Sequence, residues 1–336
     1  MKEIGINLKE AEVIFRQLSR DYKVFAPVRK TGKGRFSETD LITYDFVEGF
    51  EEIEFFEKSY YSAKEVLFPV RQTLFEFRKE GPEETQGIIP PTIVFLRACD
   101  INAISVTDTH FLKGNFEDSY YKEQRSRLKL FLIECSEPFE SCFCVSMGTN
   151  RAEDYAVFMR KTDTGLEVKI KDSQMEKYFI GGVEAEVEPN FIDLDLEPIS
   201  LQDEIDTAIF KDEMWQEYSR RCIACGRCNT SCPTCTCFTL QDIFDNEKGV
   251  GQRRRVWSSC QVKKFSLLAG SHDFRVPKGD RMRYRVLHKI QDFRKRTGLN
   301  MCVGCGRCDE ACPEYISMFK CIQKINTLIN AGTKDE

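Results

Sequence analysis

One twelve-residue cysteine phrase occurs twice in this chain. Residues 222–233 place Cys222, Cys225, Cys228 and Cys232-Pro233, and residues 302–313 place Cys302, Cys305, Cys308 and Cys312-Pro313, both as C-x2-C-x2-C-x3-C-P. No other feature constrains the fold as strongly. Eight thiols at this spacing require two tight loops, each wrapped around something that binds soft, anionic sulfur. Three cysteines at i, i+3 and i+6 suit three corners of a [4Fe–4S] cubane, and a fourth before proline leaves the loop. The alternative is a pair of structural zinc sites, but zinc ordinarily takes paired C-x2–4-C units.

The spacing is that of bacterial-type ferredoxins, where the fourth cysteine of each phrase grips the other cluster. It therefore assigns Cys222, Cys225, Cys228 and Cys312 to one cluster. Cys302, Cys305, Cys308 and Cys232 go to the other. Gly226 and Gly306 are placed to let backbone amides approach the sulfurs. Sixty-nine residues separate Cys232 from Cys302, far more than a compact ferredoxin needs, and helices are expected within and around that insert at 239–246, 259–269, 283–297 and 314–330. The C-terminal half reads as an all-helical two-cluster ferredoxin-like domain.

The N-terminal half has a different pattern. An amphipathic helix is expected over 7–20, with Leu8, Ala11, Ile14, Phe15 and Leu18 on one face and Asn7 as its cap. Strands are expected at 24–28 and 41–47, and the glycines at 31–36 read as a turn rather than an anion site. Pro69 interrupts the apolar run 62–78, and 81–91 reads as a loop. Two buried strands, 92–96 and 128–133, flank a helix that Asp100 can cap, and each strand ends near a cysteine. A hairpin is expected over 155–171, an acidic linker over 183–199 and a helix over 201–221. The fold class is therefore α+β: a mixed α/β domain over 1–199, then the cluster domain over 200–336. Cys99, Cys135, Cys142 and Cys144, all in the first domain, are either the ligands of a third iron–sulfur cluster or simply buried thiols. Cys235, Cys237, Cys260 and Cys321 read as packing around the two clusters.

Composition narrows the function. A net charge of −5 over 336 residues argues against a general nucleic-acid binder, and no apolar run approaches the length of a membrane helix. The N-terminus lacks the pattern of a signal peptide, and thiols that hold iron need reducing surroundings, so a cytoplasmic protein is expected. Between Gly251 and Arg296 there are fourteen Lys and Arg against three Asp, a cationic shell that would raise a cluster's potential or steer an acidic partner. No nicotinamide, flavin or siroheme machinery is visible. His110, His272 and His288 form no ligand pair, so no catalytic residue is assigned beyond electron transfer.

The phrases around the clusters carry a resemblance. Cys232-Pro233-Thr234-Cys235-Thr236-Cys237-Phe238, Trp257-Ser258-Ser259-Cys260 and Arg281-Met282-Arg283-Tyr284-Arg285, with both cluster phrases, resemble the β subunits of cytosolic hydrogenases and sulfur reductases. Ala98-Cys99-Asp100, Glu134-Cys135 and the stretch 142–149 match the N-terminal domain of the same group. Within it, Gly34-Arg35-Phe36-Ser37-Glu38-Thr39-Asp40 and the stretch 58–69 look most like the iron–sulfur relay chain of anaerobic sulfite reductases. That resemblance implies an oxidoreductase component that takes electrons from a flavin subunit oxidising NADH. It would pass them singly to a siroheme subunit that reduces sulfite to sulfide. The alternative within the group is the iron–sulfur β subunit of a NiFe hydrogenase or sulfur reductase.

Overall fold

The N-terminal helix begins where its cap predicts. In the computed structural model, which describes residues 2–85, 89–193, 199, 205 and 207–332, Asn7 Oδ1 accepts from the amides of Lys9 and Glu10, and Glu10 reaches back to the Asn7 amide. This reciprocal box satisfies amides that the first turn cannot. The helix Leu8–Asp21 buries Ala11, Ile14, Phe15 and Leu18, while Leu8 is turned to solvent. The chain divides into two compact units. One comprises Met1–Leu67, Ile88–Leu196 and Val303–Cys305; the other comprises Phe68–Gly87, Glu197–Cys302 and Gly306–Glu336.

The first unit is built on an eight-stranded mixed sheet. Its spatial order is Val183–Glu184, Lys2–Asn7, Gly165–Ile170, Val157–Lys161, Leu128–Ile133, Thr92–Leu96, Lys23–Lys30 and Leu41–Val47. The centre is parallel: Lys23–Lys30, Thr92–Leu96, Leu128–Ile133 and Val157–Lys161 run the same way. Such strands are covered on both faces, which is why all five residues of Thr92–Leu96 are buried. The helix Ala98–Leu112 follows that strand directly. Arg97, not Asp100, is its N-cap residue, and Asp100 is buried in the first turn. The expected hairpin over 155–171 forms as Val157–Lys161 against Gly165–Ile170.

The second unit corrects the all-helical expectation. Residues 239–246 are not a helix. They lie in the strand Phe238–Asp245, which pairs with Val250–Trp257, and the ladder continues through Arg71–Arg78 to Gly81–Glu84 as a four-stranded antiparallel sheet. The turn explains the hairpin. Asp245 accepts from the amides of Glu247 and Lys248, and Gly249 adopts φ +63°, where a side chain would be strained. Arg255 locks the sheet inward: its guanidinium donates to Gln72 Oε1 at 2.7 Å and sits 4.9 Å from the Phe68 ring. Residues 259–269 form turns rather than a helix.

Helices carry the rest of this unit. Met214–Arg221 leads into the first cysteine phrase, and the start of the helix expected over 201–221 lies outside the described residues. Lys278–Leu287 continues through a wide π-turn, His288–Asp292, into Phe293–Thr297, and Met318–Gly332 closes the chain. Part of the expected acidic linker, 194–198, also lies outside the described residues. Among the described residues, no helix is long and apolar enough to cross a membrane.

Candidate metal centre

The two phrases fold into the same local shape. Cys222 closes the helix Met214–Arg221 by donating its amide to Tyr218 O. The chain then turns twice through left-handed backbone, at Ala224 (φ 59°) and Gly226 (φ 78°), and enters the short helix Arg227–Thr230. The second phrase repeats the pattern with Gly304 (φ 63°), Gly306 (φ 71°) and the helix Arg307–Glu310. Such turns aim successive amides and thiols inward, as an anion-binding loop requires. The Ala224 amide donates to Cys222 Sγ at 3.3 Å. Alanine holds a conformation at 224 that glycine takes at 304, so the first phrase keeps the bend despite the steric cost.

The first ligand set comes together. Cys222, Cys225 and Cys228 line one cavity with Cys312 from the far end of the second phrase, and Cys308, Met282 and Arg285 complete much of its wall. Cys225 is the exposed member. Burial pushes the Cys228 thiol up to about 11, and Arg285 opposes that shift.

Of the second set, Cys232, Cys302 and Cys308 share one electrostatic environment within the second unit. The Cys235 thiol donates to Cys232 Sγ, which holds Cys232 well below the usual thiol range despite burial, with Lys289 and Arg285 adding to the effect. Cys305 is buried and is grouped with the first unit, where its carbonyl accepts from Lys58 Nζ at 3.1 Å.

Of the other cysteines in this unit, Cys237 and Cys260 form a hydrogen-bonded thiol pair, with the Asn229 amide 3.3 Å from Cys260 Sγ. Cys321 is fully buried, bonded to Tyr218.

A row of three buried cations lies on one helix, and two of them, Arg285 and Lys289, face these thiols. Arg281, Arg285 and Lys289 are spaced four apart on one helix, so they share a face, and they are 6, 4 and 2 % exposed. The π-turn falls at the last of them. Their hydrogen bonds go to neutral groups. Arg281 donates to Gln261 O at 2.7 Å, Arg285 to Cys228 O at 3.4 Å and Lys289 to Thr234 Oγ1 at 2.7 Å. Among the described residues, none of the three has a carboxylate partner. A buried cation without a counter-charge costs several kcal/mol. Burial alone would lower Arg285; the thiols of Cys228, Cys308, Cys235 and Cys232 hold it well above its ordinary value. Lys289 is raised in the same way by Cys232, Cys235 and Cys302. The sequence shows this basic stretch but not which residues turn inward. The available signal is the four-residue spacing of Arg281, Arg285 and Lys289, each followed by an apolar residue: Met282, Val286 and Ile290.

These features fit a cubane. Arg285 Nε is buried without a hydrogen-bond partner, beside a cavity lined by five cysteines from distant parts of the chain. Among the described residues, no three His, Cys, Asp or Glu side chains converge on one metal ion. A cubane does not ask for that, because each thiolate holds its own iron, whereas zinc needs four donors around one point. His288 stacks on Tyr284 instead of joining the thiols.

Residues 221–316 match the family model described as a 4Fe-4S dicluster domain. The chain is 28 % identical over 345 residues to a protein named sulfhydrogenase 2 subunit beta from Pyrococcus furiosus, an alignment covering 97 % of this chain and 98 % of that one. No solved structure matches the chain. The chain carries two [4Fe–4S] clusters and is an iron–sulfur electron-transfer protein.

Proposed function

We propose that this chain is the iron–sulfur relay subunit of a cytoplasmic oxidoreductase complex of the sulfhydrogenase kind, a hydrogenase or sulfur reductase. The full-length likeness to a sulfhydrogenase β subunit supports this choice over a sulfite reductase. The observation that carries the relay role is the cavity at Cys222, Cys225, Cys228 and Cys312, with the buried, unpartnered Arg285 Nε beside it. Those four thiols hold one cluster, and Cys302, Cys305, Cys308 and Cys232 hold the other. Each cluster supplies one-electron redox chemistry. The chain's own residues shield most of the sulfurs from water and set a positive field around them through Arg285 and Lys289. A flavin subunit that oxidises a hydride donor delivers electrons in pairs, so a catalytic partner fed singly needs such a relay.

The test is the complex purified anaerobically through this chain. Nickel in a partner protein is expected, with bleaching of the cluster absorption under hydrogen or NADH. A siroheme partner without nickel would move the assignment to sulfite reduction. Clusters that no donor bleaches would refute the relay and leave a structural or sensing role.

A further inference from the structure

The N-terminal sheet directs two cysteines to the same end of neighbouring strands. Thr92–Leu96 and Leu128–Ile133 are adjacent parallel strands, with Leu96 paired to Leu132. Cys99 and Cys135 each follow three residues later. Both therefore leave the sheet at the carboxyl ends of neighbouring strands, where open α/β sheets place their sites. The loop carrying Cys142 and Cys144 is fixed against the same unit: the Phe143 amide donates to Gly304 O at 2.8 Å, the Thr149 amide to Cys144 O at 2.9 Å, and Thr149 Oγ1 to Val303 O at 2.6 Å. We propose that Cys99, Cys135, Cys142 and Cys144 hold a third iron–sulfur cluster.

Two independent features support the site. Cys135, Cys142 and Cys144 lie within one another's electrostatic reach. No cysteine of the chain is in a disulfide. Cations also sit against these thiols. Arg97 is 5 % exposed; it donates to Cys135 and to the carbonyls of Phe55, Glu57 and Glu134. Among the described residues it has no carboxylate partner. Lys58 Nζ is 3.6 Å from Cys142 Sγ. Buried and half-buried thiols facing the buried Arg97 and the half-buried Lys58 resemble the arrangement at Arg285 and Lys289, and an anionic cluster is the group that satisfies both sides.

The site also adjoins the second cysteine phrase. Cys142 Sγ lies 3.5 Å from the carbonyl oxygen of Cys305, a cysteine of the second phrase. A third centre there accepts and returns one electron with no bond made or broken. Its role rests on the relay reading, but its existence does not.

The isolated chain, reconstituted and handled anaerobically, decides the matter by iron and sulfide content. About twelve irons per chain are expected for three cubanes, against about eight for two. The double variant Cys142→Ala/Cys144→Ala should fall to about eight and keep the low-temperature EPR signals of the two C-terminal clusters. Eight irons in the unaltered chain, twelve in both, or one equivalent of zinc would overturn the proposal. If the double variant does not fold, alkylation of the unaltered chain decides alone. Cys135 and Cys142 are only partly buried, and they should resist iodoacetamide until iron is chelated. Their modification at full iron content would overturn the proposal. A count of eight leaves the relay standing, whereas failure to bleach in the complex leaves the count standing, so the two outcomes are separable.

Discussion

Arg285→Met should lower the midpoint potential of the cluster held by Cys222, Cys225, Cys228 and Cys312 by about 100 mV. The arginine is 4 % exposed, lines the cavity of those thiols and donates to the carbonyl of Cys228. Reduction adds one negative charge to the cluster. For an assumed separation of about 7 Å and an effective dielectric of about 20, a fixed cation stabilises that charge by about 2.4 kcal/mol. For a one-electron couple this converts to about 100 mV. Methionine keeps much of the buried stem, so packing changes least while the charge is removed. The assay is a mediated redox titration followed by low-temperature EPR, with iron content measured on the same samples so that only fully loaded protein is compared. Because the pair is buried, the shift should persist at high salt. The control is Lys248→Met, whose side chain is 77 % exposed and whose charge is screened by solvent, so about 10 mV or less is expected. A shift below about 20 mV in Arg285→Met with all iron retained would refute the view that the buried cations set the potential.

Other perturbations test separate links. Cys225→Ser, at the exposed thiol of the first cavity, should remove about four irons per chain and one EPR signal; full iron would contradict the ligand assignment. In Gly304→Ala the new Cβ would meet Phe143 O at 2.5 Å on a backbone already at φ +63°. It should cost about 1–3 kcal/mol, read as a lower melting temperature, and an unchanged transition would count against the tight seating of the 142–144 loop. Glu217 is held below the usual carboxylate range by Lys324, then Arg221. A carboxylate lowered on folding stabilises above its unfolded pKa, and that contribution is lost as pH falls through the folded value. Glu217→Gln should therefore cost about 0.5 kcal/mol at neutral pH and nothing in acid; a cost that persists in acid would show that packing, not charge, is responsible. Asn7→Ala should cost about 1 kcal/mol through the lost cap, measured by denaturant melts.

Local signals are legible in this sequence, and long-range pairings are not. Asn7 and the face Ala11, Ile14, Phe15 and Leu18 follow from a cap and a period that lie within fifteen residues of one another. The strands Thr92–Leu96 and Leu128–Ile133 follow from their strongly apolar runs. The first strand of the hairpin at 238–257 reads as a helix for an identifiable reason. Leu240, Ile243 and Phe244 stand at i, i+3 and i+4, the spacing of a helical face, yet they are 51, 46 and 56 % exposed and form no core. The segment pairs with Val250–Trp257, and what holds that hairpin is the ladder from Val250–Trp257 to Arg71–Arg78, more than 150 residues away, together with Arg255 on Phe68. No local window contains either. The turn at Asp245–Gly249 is the one short-range clue.

Charge shows the same division. The excess of fourteen cations over three aspartates between Gly251 and Arg296 reads in sequence as one surface, but the fold gives its members different roles. Arg253 is tied to Asp242 and Arg283 to Asp280, Arg275 lies 3.8 Å over the Tyr284 ring, and Arg255 is spent inside the sheet. Arg281, Arg285 and Lys289 turn inward. A count of charges therefore overstates the area left to dock an acidic partner and understates the field at the clusters. The inward cations would be prohibitively costly in an uncharged interior, and the anions offered to Arg285 and Lys289 are thiol sulfurs. Cysteine spacing and buried charge thus impose the same requirement from opposite sides. The sulfurs need iron to share their charge, and the cations need the anionic clusters that those sulfurs hold.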